Sequence, residues 1–465
     1  MNETDGSKPS ARPSDAFGAL EDLDCRGRRV FLRVDPYLID ELDDADAEHE
    51  RLERERVERE QAELAAASSA PDAGHVPTAR AESATGAASQ GSPAAPAAAA
   101  RTPTPAPALS TLRRLLELEA RIVIGTHFTP EARTETGLDG VEGLATRLSE
   151  RLGADVFMPD ECVGDAAVRV ISELRQGQLC VLPDLTSGRS GVEQKNDEAF
   201  ARALSSSLDA YVFEAFSASH LDYASTVKLP RLVPRRAIGL RARRELEALS
   251  SLFALSRGSV GLLLGGYSFS DKVETLESWL PRVDRLCIGG ALSLTLLAAA
   301  GRAQPEAGAQ IDRLAQARSL FARARDLGVT LTLPLDFVVQ LEGDRGTLVK
   351  RAADVPAKAR IIDIGPESVA LFTEVLGKAK HLLWWGPLGH LGHPEGSQAS
   401  RTLAALCAEP STVSVVLGSD TRRFVRGLSA ELRRGIDLVS SGSAAARALL
   451  AGRRLPGIEA VRVRR

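Results

Sequence analysis

The sequence predicts an α/β protein with two domains, each a doubly wound, Rossmann-like parallel sheet. Three observations support this prediction. The 465 residues exceed what one hydrophobic core usually serves. From residue 28 onward, short apolar runs alternate with longer segments of helical period, which is typical of βαβ units. Glycine-rich and polar segments follow many of the apolar runs, at the positions where open α/β sheets bind ligands.

The short apolar runs predict strands, because parallel sheets are covered on both faces and bury nearly continuous apolar segments. We expect strands at residues 30–34, 122–125, 179–182, 210–213, 260–264, 286–288, 329–333, 361–364, 382–385, 413–417 and 436–439. The segments between them repeat apolar residues three and four apart, as helices that cover a sheet do. We expect helices at residues 111–119, 240–255, 272–279, 311–325, 368–378 and 400–407.

Two segments depart from this alternation. Residues 1–15 are polar and predict a flexible N-terminus. Residues 40–66 are dense in charged side chains, and residues 67–108 are almost entirely small residues and proline, so the latter cannot bury enough surface to order themselves. We interpret residues 40–108 as a tolerated surface insert; binding a partner or regulating access is the alternative.

Charge and cysteine content indicate the cellular location and the classes of partner. A net charge of -4 argues against electrostatic adhesion to nucleic acid. The five cysteines are scattered without a C-x-x-C pair, which is typical of reduced core residues in a cytosolic protein. No apolar run approaches the roughly 18 residues of a membrane span. We therefore expect a cytoplasmic protein that binds neither nucleic acid nor membrane.

Several segments at predicted strand ends carry a recognisable pattern. They read FLRVDPYL at residues 31–38, GTHFTP at 125–130, VLPDL at 181–185, EAFSASH at 214–220, GGYSFSDK at 265–272, WWGPLG at 384–389 and GSDT at 418–421. In this order and spacing the chain resembles the phosphoglycerate kinase family over nearly its whole length. The resemblance implies a 3-phosphoglycerate domain at 16–232, an interdomain helix at 233–255, a Mg-ATP/ADP domain at 256–445 and a C-terminal segment, 446–465, that returns to the first domain.

The resemblance also implies phosphoryl transfer between ATP and the carboxylate of 3-phosphoglycerate, the family's reaction in glycolysis. Asp35, His127 and His220 match the family's substrate-binding positions. Transfer brings several negative charges together, so the site needs fixed cations. Uncharged residues occupy four family cation positions, and no catalytic residue is assigned; the replacements are Pro130, Thr186, Leu221 and Ser268.

The nucleotide-binding positions of the family are retained in part. Lys272 matches a nucleotide-contacting lysine, and Asp420 matches the residue that binds Mg through the nucleotide. Trp385 replaces an asparagine of the family's WNGP segment. The residue types alone leave alternatives, since Lys272 also suits a solvated helix start and Asp420 a helix cap. The remaining matched positions are Gly289, Gly290, Gly386, Pro387, Gly418 and Thr421.

The sequence therefore leaves its activity open between three interpretations. The first is a phosphoglycerate kinase-like protein with impaired transfer, and the second is an inactive relative that acts as a nucleotide-binding or protein-interaction scaffold. The third is a kinase for a less anionic acid, which suits Leu221 and Pro130. In each case we expect a monomer whose partners are nucleotide and 3-phosphoglycerate or another small acid.

Overall fold

The computed structural model describes residues 17, 18, 20–37, 110–188, 190–252 and 258–462. These residues belong to one compact unit. The predicted flexible N-terminus, 1–15, and the predicted insert, 40–108, lie outside the described residues.

The first domain is built on six parallel strands in the order β3-β4-β2-β1-β5-β6. The central strand β1 pairs in parallel with β2 and β5. Its side chains are buried from Val30 onward, as expected for a strand covered on both faces. The strands are β1 Arg29–Arg33, β2 Arg121–Gly125, β3 Val156–Phe157, β4 Leu179–Val181, β5 Ala210–Phe213 and β6 Arg235–Ile238.

Helices cover both faces of this sheet, and local sequence sets their ends. The hydroxyl of Thr129 accepts a hydrogen bond from Ala132 N, and Pro130 occupies the first turn that follows. Gly137 ends the same helix with a left-handed φ of 67°. The helices are α1 Ser110–Glu117, α2 Pro130–Thr136, α3 Val141–Leu152, α4 Asp165–Glu173, α5 Glu198–Ser205 and α6 Leu229–Leu232.

The second domain contains another six-stranded parallel sheet, in the order β15-β14-β13-β7-β8-β9. Strand β13 is central and pairs with β14 and β7. Two such sheets confirm the predicted fold class of two parallel-sheet α/β domains. The strands are β7 Val260–Leu264, β8 Arg285–Ile288, β9 Thr330–Thr332, β13 His381–Trp385, β14 Val413–Leu417 and β15 Leu438–Val439.

The remaining described helices lie between and after these strands. They are α7 Leu240–Ser251, α8 Val273–Trp279, α9 Ser293–Ala299, α10 Leu314–Asp326, α11 Pro366–Leu376, α12 Gln398–Ala408, α13 Ser419–Arg426, α14 Ala430–Gly435, α15 Ser443–Leu450 and α16 Pro456–Ala460. None of the described helices is long and apolar enough to cross a membrane.

Two predicted elements differ from the structure. Residues 361–364, expected in a parallel sheet, belong to β12 Arg360–Ile364 of a three-stranded antiparallel sheet, together with β10 Asp336–Gln340 and β11 Leu348–Arg351. An apolar run does not encode the direction of its partner strand. The segment 233–255 is not all helix: residues 235–238 form β6 because they pair with β5, and α7 begins at Leu240.

Contacts near the C-terminus connect distant parts of the chain. Glu245 of α7 accepts hydrogen bonds from the hydroxyls of Ser440 and Ser441, which follow β15. Gly457 N in α16 donates to Ser219 O, which follows β5 of the first domain, at 2.9 Å. The residues after β15 therefore contact both α7 and the first domain.

Candidate functional site

A cavity of about 290 Å³, here called the interdomain cavity, lies where the carboxyl ends of strands from both sheets meet. Residues that follow β1, β2 and β5 line it from the first domain, and residues that follow β14 and β15 line it from the second. This is where parallel α/β sheets bind ligands. The lining includes the side chains of Tyr37, His127, His220, Leu221, Tyr223 and Arg422.

His127 follows β2 and is only 8% exposed. Its Nδ1 lies 2.7 Å from Nη2 of Arg33. A guanidinium can only donate, so Nδ1 must be the acceptor, and the ring proton of neutral His127 is therefore on Nε2. Burial, reinforced by the positive charge of Arg33, lowers the pKa of His127 to about 3. His127 is thus a neutral hydrogen-bond donor at the cavity wall.

A buried network holds Arg33 in place. Its Nε donates to the hydroxyl of Ser225 at 2.8 Å, and that hydroxyl donates to a carboxylate oxygen of Glu193. Arg33 and Glu193 are both fully buried. Burial raises the pKa of Glu193, although the charge of Arg33 opposes this shift. The network therefore fixes the donor that sets the His127 tautomer.

Asp35 and His220, the other predicted substrate-binding residues, lie at the same end of the first sheet. Asp35 Oδ1 accepts from Tyr37 N at 3.1 Å, whereas its buried Oδ2 has no hydrogen-bond partner among the described residues. His220 lines the interdomain cavity, and burial lowers its pKa. Asp35 adjoins Pro36, which also lines the cavity. The structure thus brings the predicted substrate-binding residues close to one cavity.

Uncharged side chains occupy three family cation positions of the first domain. The hydroxyl of Thr186 donates to Asp184 at 2.7 Å, and Phe128 N donates to the same carboxylate at 2.9 Å. Pro130 begins α2, and Leu221 presents a hydrocarbon side chain to the interdomain cavity. None of these side chains supplies a positive charge.

The predicted nucleotide-binding glycines converge at the carboxyl ends of β7, β8 and β13. Gly290 has a φ of 70°, and a Cβ there would lie 2.4 Å from Gly266 O. A Cβ on Gly386 would lie 2.5 Å from Gly265 O. Only glycine permits these backbone segments to approach so closely. The structure thus gathers the glycines that the sequence singled out.

Lys272 lies beside these glycines and faces the protein backbone. Its Nζ donates to Gly265 O at 2.6 Å and to Trp385 O at 3.3 Å, and it lies 4.2 Å from the centre of the Trp385 ring. Burial lowers the pKa of Lys272 to about 7. The ammonium thus contacts two carbonyl oxygens and an indole, and its predicted contact with a nucleotide phosphate stays a prediction.

The GSDT turn leads from β14 into α13. The hydroxyl of Thr421 is fully buried and accepts from Gly386 N at 2.8 Å, which connects this turn to the one after β13. Asp420 is exposed, and its Oδ1 lies 3.8 Å from Nη1 of Arg423. In the described part of the chain, no group of three or more His, Cys, Asp or Glu is arranged to hold a metal ion.

The other predicted nucleotide positions are packed or covered. Pro387 is buried, and a Cβ on Gly289 would meet Leu388 at 2.7 Å. Ser268, in place of a family lysine, lies with its hydroxyl 2.9 Å from that of Ser270. The neighbouring Tyr267 meets the His390 ring edge-on at 5.9 Å.

Sequence reasoning missed two arginines near the cavity. The guanidinium of Arg422 lies 3.7 Å from the centre of the Tyr37 ring, and its Nη1 donates to Ser441 O at 3.0 Å. Arg447 lies 5.6 Å from the centre of the Trp385 ring. Arg422 lies one helical turn after Gly418. Predicting a helix that starts at residue 419 would therefore have placed Arg422 beside the GSDT turn.

Two parallel sheets with a cavity at their carboxyl ends define a two-domain α/β protein. Comparison with known sequences identifies the family: the profile of "Phosphoglycerate kinase" matches residues 105–453. The phosphoglycerate kinase of Anaeromyxobacter dehalogenans is 33% identical over 362 residues, which cover 76% of this chain and 89% of that protein. That of Pelotomaculum thermopropionicum is 32% identical with the same coverages. The chain belongs to the phosphoglycerate kinase family.

Solved structures agree on the fold. The phosphoglycerate kinase of Coxiella burnetii matches with a TM-score of 0.69 and 23% identity, over 96% of this chain and 98% of that chain. The enzyme of Pyrococcus horikoshii matches with the same TM-score and 22% identity, over 95% and 98%. The predicted family resemblance is therefore confirmed by both sequence and fold.

Proposed function

We propose that this member of the phosphoglycerate kinase family keeps the interdomain cavity as a ligand site but has lost the family's phosphoryl transfer. The observation that carries the proposal is the placement of Lys272. Its ammonium contacts Gly265 O, Trp385 O and the Trp385 ring, so the retained family lysine stabilises the second domain. In addition, uncharged side chains occupy Pro130, Thr186, Leu221 and Ser268.

The residues present fit a Mg-nucleotide poorly. Phosphates need oriented donors and cations, whereas Lys272 and Thr421 are hydrogen-bonded to the backbone at Gly265 and Gly386. A buried indole, Trp385, stands beside the Lys272 ammonium. Asp420 remains exposed at the start of α13, but a single carboxylate does not hold Mg²⁺ without phosphate oxygens. We propose weak nucleotide binding at most, in a monomeric cytoplasmic protein.

The alternative is that the family's reaction persists with other cations. Arg422 and Arg447 are the observations that favour it, because both lie beside aromatic rings near the carboxyl ends of the strands. Each lost phosphate-binding arginine removes charge-assisted hydrogen bonds of about 1.5–3 kcal/mol. Three first-domain positions without a cation therefore predict a loss of several orders of magnitude in transfer.

Titration calorimetry and a coupled assay test the proposal. The purified full-length chain is titrated separately with Mg-ADP and with 3-phosphoglycerate, and turnover is then measured at high protein concentration. The Anaeromyxobacter dehalogenans phosphoglycerate kinase is the positive control in the same buffers. We expect no 3-phosphoglycerate heat and no turnover above background. Binding of both ligands with measurable turnover would show that Arg422, Arg447 or other cations have replaced the missing ones.

A further inference from the structure

We propose that the interdomain cavity binds a small carboxylic acid with a single negative charge and an apolar body. The carboxylate accepts a hydrogen bond from His127 and lies in the positive potential of Arg422, while the apolar body packs against Leu221 and Tyr223. This inference rests on the proposed loss of the family's phosphoryl transfer. It concerns which class of molecule the remaining site selects.

The size of the cavity limits the ligand. At about 290 Å³, the interdomain cavity lies at the small end of the range for ligand pockets, which begins near 300 Å³. Such a volume holds a compact acid and excludes a nucleotide. The ligand must therefore be smaller than the pair of substrates that the family's two domains would bind together.

His127 supplies a donor of fixed direction. Arg33 donates to Nδ1, so the Nε2–H of the neutral ring is the group that His127 can offer to a ligand. The side chain is more than nine-tenths buried and lines the cavity. No hydrogen bond from Nε2 to another described residue occurs. A ligand with an acceptor oxygen satisfies this donor.

The charge of the lining sets the charge of the ligand. Among the described lining residues, Arg422 is the only side chain with a formal charge, since burial keeps His127 and His220 neutral. The first turns of α13 and α15 also border the cavity, and helix N-termini favour anions. Asp420 in the first turn of α13 offsets part of that effect. A ligand with a single carboxylate therefore suits this lining better than a more highly charged anion does.

The charge of the cavity lining also disfavours 3-phosphoglycerate, the substrate of the family. The phosphate group of 3-phosphoglycerate carries a charge of about -1.5 to -2 in addition to its carboxylate. Leu221 and Thr186 occupy two positions where the resemblance implies arginines, and neither can neutralise that phosphate. Leu221, Tyr223 and the ring of Tyr37 instead give the cavity hydrocarbon surface. An apolar or aromatic body fits this surface better than a phosphate does.

Titration calorimetry of the full-length chain with benzoate, 3-methylbutanoate, inorganic phosphate and 3-phosphoglycerate tests the proposal. We expect the two monocarboxylates to bind and the two phosphates to bind at least about tenfold more weakly. Arg422→Gln should weaken benzoate about tenfold or more, because a charged partner is removed. Arg423→Gln, on the exposed face of the same helix, is the matched control and should change affinity less than about twofold.

Two further variants test the proposed roles of His127 and Leu221. His127→Asn keeps an acceptor for Arg33 but removes the Nε2 donor, so it should weaken benzoate while leaving the circular dichroism spectrum unchanged. Leu221→Arg should reverse the preference towards 3-phosphoglycerate. Equal benzoate affinity in Arg422→Gln, or no benzoate binding at all, would overturn the inference and leave the proposed loss of transfer standing. Tighter binding of 3-phosphoglycerate than of benzoate would also overturn the inference, and only turnover in the coupled assay would overturn the proposed loss of transfer.

Discussion

At the scale of single residues, the buried carboxylate beside Thr186 keeps several hydrogen-bond donors. Asp184, which is 8% exposed, accepts hydrogen bonds from Phe128 N, Thr186 N and the Thr186 hydroxyl. A buried carboxylate without such donors would be costly. Thr186 thus supplies local hydrogen bonds to this carboxylate, and Nη2 of Arg133 lies 3.9 Å from it. The loss of cations is compatible with a stable fold for this reason.

The buried His127 predicts a pH dependence of stability. Its pKa of about 3 in the folded protein lies below the ordinary value of 6.5, so the unfolded chain binds more protons between these values. The contribution of His127 is fully present above pH 6.5 and is lost as the pH falls towards 3. From pH 6.5 to about 4.5, this residue alone should lower the free energy of unfolding by about 2–3 kcal/mol.

Urea unfolding of His127→Asn across this range measures that contribution. Asn still accepts from Arg33 but does not titrate, so the variant should lose about 2–3 kcal/mol less than the wild type between the two pH values. Equal losses in the two proteins would mean that His127 is protonated in the folded state.

At the scale of elements, the glycine turns of the second domain bring separate backbone segments into close contact. Gly290→Ala combines a φ of 70° with a Cβ 2.4 Å from Gly266 O. Gly301→Ala is the matched control, because its φ is 69° and nothing lies within 4 Å of its Cβ. We expect a loss of about 1 kcal/mol for Gly301→Ala, from the left-handed conformation alone. Gly290→Ala should cost about 3 kcal/mol or more in the same denaturation experiment.

A buried side chain of helix α7 accepts hydrogen bonds from the segment after β15. Glu245 is fully buried and accepts from Ser440 and Ser441. Glu245→Ala should lower the free energy of unfolding by about 3 kcal/mol, because several buried donors lose their acceptor. Glu247→Ala, on the same helix, should change it by less than about 0.5 kcal/mol. Similar effects of the two substitutions would rule out this role for Glu245.

At the scale of the whole molecule, Tyr37 from the first domain and Arg422 from the second hold the domains together at the cavity. A double-mutant cycle with Tyr37→Ala and Arg422→Gln should give a coupling energy of about 1–2 kcal/mol, as expected for a desolvated cation–π pair. Additive effects of the two substitutions would show that the stacking contributes nothing to stability.

Sequence patterns predicted much of this architecture because most strands are continuous apolar runs. The predicted strands at 210–213, 260–264 and 413–417 coincide with β5, β7 and β14. Strand β6 escaped prediction because it begins with two arginines at a sheet edge. The antiparallel sheet of β10, β11 and β12 escaped because pairing direction depends on residues distant in the chain.

The sequence predicted which residues lie near the strand ends, but not which way their side chains point. Motif order along the chain located His127, His220 and the glycine turns. Whether Lys272 faces a ligand or the backbone depends on Trp385, which lies 113 positions away in the chain. The stacking of Arg422 on Tyr37 likewise depends on how closely the two domains approach. Local sequence does not contain either distance.

The positions of the tryptophans make the fluorescence of the protein a probe of one domain. Its three tryptophans, Trp279, Trp384 and Trp385, are all buried in the second domain. Indole emission should therefore be blue-shifted in the native state and report on the second domain alone. Trp385 also contacts the Lys272 ammonium, a charge that shifts and quenches indole emission. Fluorescence can thus follow deprotonation at Lys272, whereas unfolding confined to the first domain would leave the tryptophan signal unchanged.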